Sequence, residues 1–225
     1  MESNSTSLET MMIIFKQMEK SICKISRSNE EYGTGFFCTI PLDDWNSLKM
    51  LITNNYVLNE SDISPGKAIK ISLNNNKINL EILFDESRIV YSNSNYNVTF
   101  IEIKQKDRIT KESFLDIDEK IFKDSSFEIF TDKPVYLLHY PKGAEVQKSD
   151  GKIKSINTNN YTIEHYCNID SGSLGGPIIL SNSNKVIGMN IGGTKEKNNW
   201  NLGILMKLPI EKFVVEMKDK LMNKI

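Results

Sequence analysis

Short runs of apolar and β-branched residues fill the middle of the chain, and Gly, Asn and Asp separate them. Val, Ile, Phe and Thr favour extended backbone, whereas Gly and Asn are typical of turns. The pattern predicts about a dozen short strands, at 21–26, 35–40, 48–53, 68–73, 78–83, 98–104, 135–139, 152–156, 161–166, 177–180, 185–191 and 202–206. No helical pattern lies between these runs, so we expect an antiparallel barrel or sandwich rather than alternating βαβ units.

Two amphipathic helices are predicted at the ends of this β-rich region. The first has apolar residues at helical spacing, namely Leu8, Met11, Met12, Phe15 and Met18, and Ser7 is a suitable N-cap. The second has Ile210, Phe213, Val214, Met217 and Leu221 at the same spacing, with Pro209 in its first turn. We expect both stripes to pack in the core rather than to bind a ligand.

Composition narrows the class of protein. The 225 residues carry 28 Lys and Arg against 29 Asp and Glu, a net charge of −1. A general nucleic-acid binder or a membrane-surface protein needs a cationic face, so we predict no nucleic-acid partner and no membrane. No apolar stretch reaches the roughly 18 residues of a membrane span. The polar, acidic N-terminus lacks the features of a signal peptide, which predicts a cytoplasmic protein.

The numbers of cysteines and histidines argue against a fold held together by disulfides or by a metal ion. The three cysteines, Cys23, Cys38 and Cys167, are too few and odd in number for a disulfide framework. We expect them to be reduced and mostly buried. Two histidines and no closely spaced cysteine pair predict no metal site, and we expect no cofactor.

Three segments stand in a characteristic order along the chain. The first is Gly33-Thr34-Gly35-Phe36, followed by Thr53-Asn54-Asn55-Tyr56-Val57. The second is Asn97-Val98-Thr99-Phe100, and the third is Gly172-Ser173-Leu174-Gly175-Gly176-Pro177. In this order the chain resembles the trypsin-like (chymotrypsin-fold) serine peptidases over about residues 21–208. In that family these segments deliver a catalytic His, Asp and Ser.

The chain departs from the family pattern at the three positions of the catalytic triad. It places Tyr56 where the family has His, Asn97 where it has Asp, and Leu174 where it has Ser. Leucine has no heteroatom to attack a carbonyl. A tyrosine phenol is almost fully protonated at neutral pH and is a poor general base, and asparagine carries no charge to stabilise a cationic base. The resemblance therefore implies no catalytic residues, and we expect the three side chains to pack together, Tyr56 stacking over Leu174.

The resemblance still implies two binding features that depend on the backbone alone. The amides of Gly172 and Leu174 are expected to form a nest like an oxyanion hole, which binds a carbonyl or an anion without reacting. The segment Met189, Asn190, Ile191, Gly192 and Gly193 matches the strand on which the family pairs its substrate. A peptide can add there through main-chain hydrogen bonds, which need no triad.

Displaced nucleophiles are the rival interpretation. Ser173 adjoins the nucleophile position and Cys167 precedes it by seven residues, while the only candidate bases are His139 and His165. On a tight turn Ser173 should point away from Tyr56 and make a turn hydrogen bond. We expect Cys167 to be a packed thiol and both histidines to be satisfied structural residues.

The resemblance implies an all-β fold of two antiparallel six-stranded barrels with a helix at each end. The expected division is an N-terminal helix at 1–20, a first barrel at 21–110, a linker at 111–133, a second barrel at 134–208 and a C-terminal helix at 209–225. The expected function is a pseudoprotease that binds a protein or peptide. The alternatives are a structural subunit of a larger complex, with its contact surface elsewhere, such as the Met-rich face of the first helix, and a hydrolase with a displaced nucleophile.

Overall fold

A computed structural model describes residues 7–26, 31–43, 46–123, 126–193 and 199–222, the last four by backbone alone. The helices are α1 (Leu8–Lys20), α2 (Lys120–Lys123) and α3 (Lys207–Met222). The strands are β1 (Ile22–Ser26), β2 (Tyr32–Pro41), β3 (Ser47–Asn54), β4 (Ala68–Leu73), β5 (Ile78–Leu83), β6 (Val90–Asn93), β7 (Val98–Glu102), β8 (Leu115–Asp116), β9 (Pro134–His139), β10 (Gln147–Ile156), β11 (Thr162–His165), β12 (Pro177–Leu180), β13 (Val186–Gly193) and β14 (Asn201–Leu205).

The strands form two separate antiparallel units. In the first unit they lie in the order β5-β4-β1-β2-β3-β7-β6, and β8 pairs in parallel with β2. The second unit is a closed barrel in the order β10-β11-β14-β13-β12-β9. The mostly-β chymotrypsin-like fold is thereby confirmed. The first unit differs from the expected closed six-stranded barrel, because its edge strands β5 and β6 do not pair with each other.

A buried arginine bridges this open seam. The Arg88 guanidinium donates to the carbonyl of Leu83 at the end of β5 (2.9 Å) and to that of Glu102 at the end of β7 (2.6 Å). The same group binds Asp107 through two hydrogen bonds of 2.7 and 2.9 Å, and the Arg88 and Asp107 side chains are both buried. One side chain therefore supplies the contacts that strand pairing would supply in a closed barrel.

The C-terminal helix packs against the first sheet. Phe213 of α3 packs its ring against Phe100 of β7 and Tyr91 of β6, with ring centroids 5.4 and 5.6 Å apart. Ile210 and Met217, one turn to either side, are also buried. The prediction that this apolar stripe belongs to the core is confirmed for Ile210, Phe213, Val214 and Met217, and the side chain of Leu221 lies outside the described part of the chain.

The prediction for the N-terminal stripe is wrong for Leu8, Met11, Met12 and Phe15, which are exposed, and holds only for Met18, which packs partly buried against the core. Helix α1 begins at the expected cap, since the Ser7 hydroxyl accepts the Thr10 N–H at 3.2 Å. However, its packed face is formed by Ile14 and Gln17, whose amide donates to the Asn184 carbonyl and accepts from the Tyr136 hydroxyl. These two contacts fix the rotation of the helix and leave the predicted apolar stripe largely facing solvent.

Candidate functional site

The loops that carry Tyr56 and Asn97 are joined to each other at the end of β3. The Asn54 side chain caps the turn by accepting the Tyr56 N–H at 2.8 Å. The N–H of Asn55, which lies between these two residues, donates to the Asn97 carbonyl oxygen at 3.1 Å. Asn97 itself lies at φ 54°, a left-handed conformation that asparagine tolerates better than most residues. Local turn chemistry thus brings these two positions of the sequence motif together.

The turn that carries Leu174 is seated on the first sheet, although it belongs to the second barrel. The Leu174 carbonyl accepts the Thr34 N–H of β2 at 2.9 Å. Gly175 lies at φ 89°, and a Cβ at that position would be 2.1 Å from the Thr34 carbonyl oxygen and 2.7 Å from the Thr53 hydroxyl. Only glycine allows such a close approach. The three motif segments, which are far apart in the sequence, therefore lie near one another at the junction of the two units.

Thr34 is the residue that sequence reasoning missed. Its hydroxyl donates to the Gly172 carbonyl at 2.7 Å and accepts the Tyr140 N–H at 3.0 Å, while its backbone holds Leu174. One buried residue therefore fixes both ends of the turn, one through its side chain and the other through its backbone. The only sequence signal was its place in the Gly33–Gly35 segment, which gives no indication that its hydroxyl crosses to the other unit.

The expected packing of Tyr56 over Leu174 is not what the structure shows. Tyr56 is 63% exposed, so its ring lies mostly in solvent. Leu174 is partly buried and packs against the hydrophobic core of the first sheet. Its Cδ2 is also 3.5 Å from where a Cβ of Gly192 would lie.

The substrate-pairing segment retains a shorter free edge than expected. Met189 pairs with Pro177 on one side and Ile204 on the other. The amide and carbonyl of Asn190 both bond to the Gly175–Gly176 turn, at 2.8 and 3.0 Å. Gly192 and Gly193 pair with β14 on one side, after an irregularity at Ile191, and no described strand pairs with the other side of these three residues. Of the five predicted residues, Met189 and Asn190 cannot accept a peptide.

The turn also presents two backbone donors without acceptors. Within the described part of the chain, neither the Gly172 N–H nor the Leu174 N–H makes a hydrogen bond. The surrounding carbonyls are occupied, since those of Gly172 and Leu174 bond to Thr34. Gly172 lies at φ 83°, which is the type of conformation that forms backbone nests.

Ser173 and His139 form the one close hydroxyl–imidazole pair in the described residues near the turn. Ser173 Oγ and His139 Nδ1 are 2.6 Å apart, and the same oxygen accepts the Asp170 N–H at 2.8 Å. Both side chains are buried. A nucleophile must reach a substrate carbonyl, so this pair serves to hold the turn, as expected for Ser173.

The other displaced candidates are also buried. Burial raises the pKa of the Cys167 thiol to about 12, so the thiol stays protonated at neutral pH. His165 is completely buried beside Asn190 and Leu202, and burial lowers its pKa to about 4. Asn190 and Leu202 act against this shift, but neither ring nitrogen of His165 makes a well-formed hydrogen bond among the described residues, so the expectation of a satisfied histidine is not fully met.

The two buried histidines make stability depend on pH. Burial also lowers the pKa of His139 to about 4, against an opposing effect of the Asp170 carboxylate. An unfolded chain binds protons near pH 6.5, and the folded chain does not until about pH 4, so stability falls as the pH drops through this window. We expect a loss of about 2 kcal/mol per histidine between about pH 7 and pH 5.

Proton NMR tests this prediction directly, because the chain has only two histidines. Their ring Cε1–H signals should stay in the neutral position down to about pH 5 in the folded protein, and should titrate near pH 6.5 in urea. A midpoint above pH 6 in the folded state for either ring would contradict the burial argument.

Two further structural findings bear on the type of site. In the residues described, no three His, Cys, Asp or Glu side chains converge as a metal site would require. None of the described helices has the length and apolar character needed to cross a bilayer.

Comparison with known proteins shows which family and which solved structures this chain is similar to. The family model of the trypsin-like peptidase domain matches residues 33–189, and no curated protein sequence matches the chain. The chain is similar to the serine endoprotease from Yersinia pestis, at 14% identity and a TM-score of 0.65, over 93% of this chain and 68% of that one. It is similar to Deg5 at 18% identity and a TM-score of 0.61, over 90% and 91% of the two chains.

A third solved structure is the inactive form of the Rv3671c protease of M. tuberculosis H37Rv, at 17% identity and a TM-score of 0.60, over 87% of each chain. At these identities the likeness to solved structures shows a shared fold. The family model, in contrast, spans more than half of the chain and includes all three motif segments. The chain therefore belongs to the trypsin-like peptidase domain family.

Proposed function

We propose that the chain is a catalytically inactive member of its family, a pseudoprotease, which binds a protein or peptide segment in its cleft without cleaving it. Leu174 carries the proposal, because the family motif aligns it with the nucleophile position and its turn is held by contacts to Thr34. A frame of this kind around a side chain without a heteroatom can bind a carbonyl group and cannot form an acyl intermediate.

Binding would use the backbone donors and the free strand edge. The unoccupied N–H groups of Gly172 and Leu174 suit a peptide carbonyl or a carboxylate. Ile191–Gly193 offer an edge to which an extended peptide can add as a strand. Neither feature requires the side chains that differ at positions 56, 97 and 174.

The test of inactivity compares the natural chain with a variant carrying Tyr56→His, Asn97→Asp and Leu174→Ser. Both are incubated with a fluorophosphonate serine-hydrolase probe and a peptide mixture derived from a proteome. We expect no labelling and no cleavage by the natural chain, and at least about 100-fold more cleavage by the variant, since removal of a whole triad costs about 10⁶-fold elsewhere. Labelling of the natural chain would overturn the proposal and identify the nucleophile.

Binding is tested separately with the same peptide mixture on immobilised protein. Leu174→Trp should block the cleft and abolish peptide retention, because position 174 lies beside Gly192 at the free edge. Leu83→Trp, at an exposed position on β5, is the matched control and should leave retention unchanged. Equal retention by the natural chain and the Leu174→Trp variant would exclude the cleft as the binding site.

A structural subunit that uses another surface is the second candidate. It is favoured by the exposed apolar side chains of α1, which lie on the helix face opposite the Ile14 and Gln17 contacts. Failure of the cleft variants to alter peptide retention, together with association through α1, would support this candidate.

A further inference from the structure

The outward face of α1 is an apolar stripe, formed by Leu8, Met11, Met12 and Phe15. Leu8 is 76% exposed, Met12 65% and Phe15 67%, and Met11 is also exposed. These positions lie three or four residues apart, so their side chains are neighbours on one side of the helix. Single exposed apolar residues are common, but a contiguous stripe marks a contact surface.

We propose that this stripe associates with the same stripe of a second copy of the chain, with the two α1 helices antiparallel. The proposal goes beyond peptide binding, since it concerns a different face and holds whether or not the cleft binds a peptide. A two-fold axis near Met12 would place Leu8 of one copy beside Phe15 of the other. Such an isologous pairing uses one patch twice and closes the assembly at two chains.

Charge complementarity selects a second copy and the antiparallel direction. Glu9 and Lys16 are seven residues apart and therefore lie along the same flank of the stripe. Antiparallel pairing about Met12 brings equivalent flanks together, so Glu9 of each copy faces Lys16 of the other. Parallel two-fold pairing would put the Glu9 flanks of the two helices on opposite sides of the seam and would form neither ion pair.

The size of the stripe indicates a weak dimer. Side chains of this kind have areas of about 200 Å² each, so the exposed fractions amount to roughly 500 Å² per copy. The total of about 1,000 Å² lies at the lower end for specific interfaces. We therefore expect a dissociation constant of about 10–100 μM.

Sedimentation velocity of the full chain, up to about 300 μM, measures the association. We expect a monomer–dimer equilibrium, and Met12→Glu should raise the dissociation constant at least about tenfold because it buries a carboxylate at the centre of the seam. The matched control is Val215→Glu, which changes an equally exposed apolar residue on α3 and should leave the constant unchanged.

A charge exchange tests the arrangement. Glu9→Lys and Lys16→Glu each place like charges opposite one another, so each variant alone should dimerise at least about fivefold more weakly. Mixed together, the two variants restore both ion pairs, and the mixture should associate as well as the natural chain. Each single variant also has an effect within its own chain, because Glu112 lies near Lys16 and Glu9→Lys places a cation in the first helical turn. The mixture is therefore the decisive measurement.

Two outcomes would overturn the proposal. If the natural chain remains monomeric at the highest concentration, no self-association through α1 occurs, and flotation with neutral phosphatidylcholine vesicles would then assign the stripe to a lipid surface. If the natural chain dimerises but the mixture associates no better than the separate variants, the antiparallel arrangement is wrong. Neither outcome affects the peptide-retention experiment, so failure of the two proposals can be distinguished.

Discussion

Replacement of Gly175 by alanine is expected to destabilise the protein by about 3–5 kcal/mol, because two independent costs combine. A left-handed conformation costs a non-glycine residue about 1–2 kcal/mol. The added Cβ would also lie 2.1 Å from the Thr34 carbonyl oxygen, so the turn must move away from the first sheet. The contacts that Thr34 makes to both ends of the turn would be strained by the same movement.

Gly66 provides a matched control for this prediction. It has nearly the same backbone conformation, φ 84° against φ 89°, but no atom lies within 4 Å of the position its Cβ would occupy. We expect Gly66→Ala to cost only the conformational part, about 1–2 kcal/mol. Urea unfolding of both variants measures the difference. Equal losses would mean that close contact between the units contributes nothing to the requirement for glycine at 175.

Replacement of Arg88 by methionine is the second large effect, about 3–5 kcal/mol of destabilisation. The substitution leaves the Asp107 carboxylate buried without its counter-ion and removes the donors to the Leu83 and Glu102 carbonyls. Because these contacts link β5 to β7 across the open seam between β5 and β6, the loss should be greatest there. Hydrogen exchange should show the amides of β5 and β6 losing protection before those of the closed barrel.

Lys123→Met is the control for Arg88. Lys123 at the end of α2 pairs with Glu119, which directly precedes the helix, at 3.0 Å, but both side chains are exposed. An ion pair of this type contributes about 0.5 kcal/mol or less. In addition, Asp107→Asn combined with Arg88→Met should be less than additive, with a coupling of about 2 kcal/mol. An Arg88→Met variant as stable as Lys123→Met would show that the buried pair is dispensable.

The strands were predictable because each is a short run of β-branched and aromatic residues between turn formers. All twelve predicted runs overlap an observed strand, whereas β6 and β8 were missed. Val90–Asn93 contains only one β-branched residue, and Leu115–Asp116 is too short to show an alternating pattern. Strand pairing on the sheet, rather than local preference, makes these residues extended.

The orientation of α1 was not predictable for a related reason. Two faces of this helix are apolar enough to be buried, and the stronger stripe by sequence is the exposed one. The packed face is selected by Gln17, whose amide finds Asn184 and Tyr136 only after the second barrel has formed. A polar residue that decides the packing in this way does not appear in a pattern of apolar positions.

By itself, the sequence determined the family and the order of most strands along the chain, because these depend on motifs and local residue patterns. It is also the basis of the proposal that all three triad positions are substituted. Only the tertiary structure decided that the first unit is open and bridged by Arg88, that Thr34 holds the Leu174 turn, and that Tyr56 lies in solvent. It also decided that Ser173 and His139 are paired but buried, and that α1 displays its apolar stripe. Each of these depends on contacts between residues far apart in the chain, whose distances and burial no local pattern encodes.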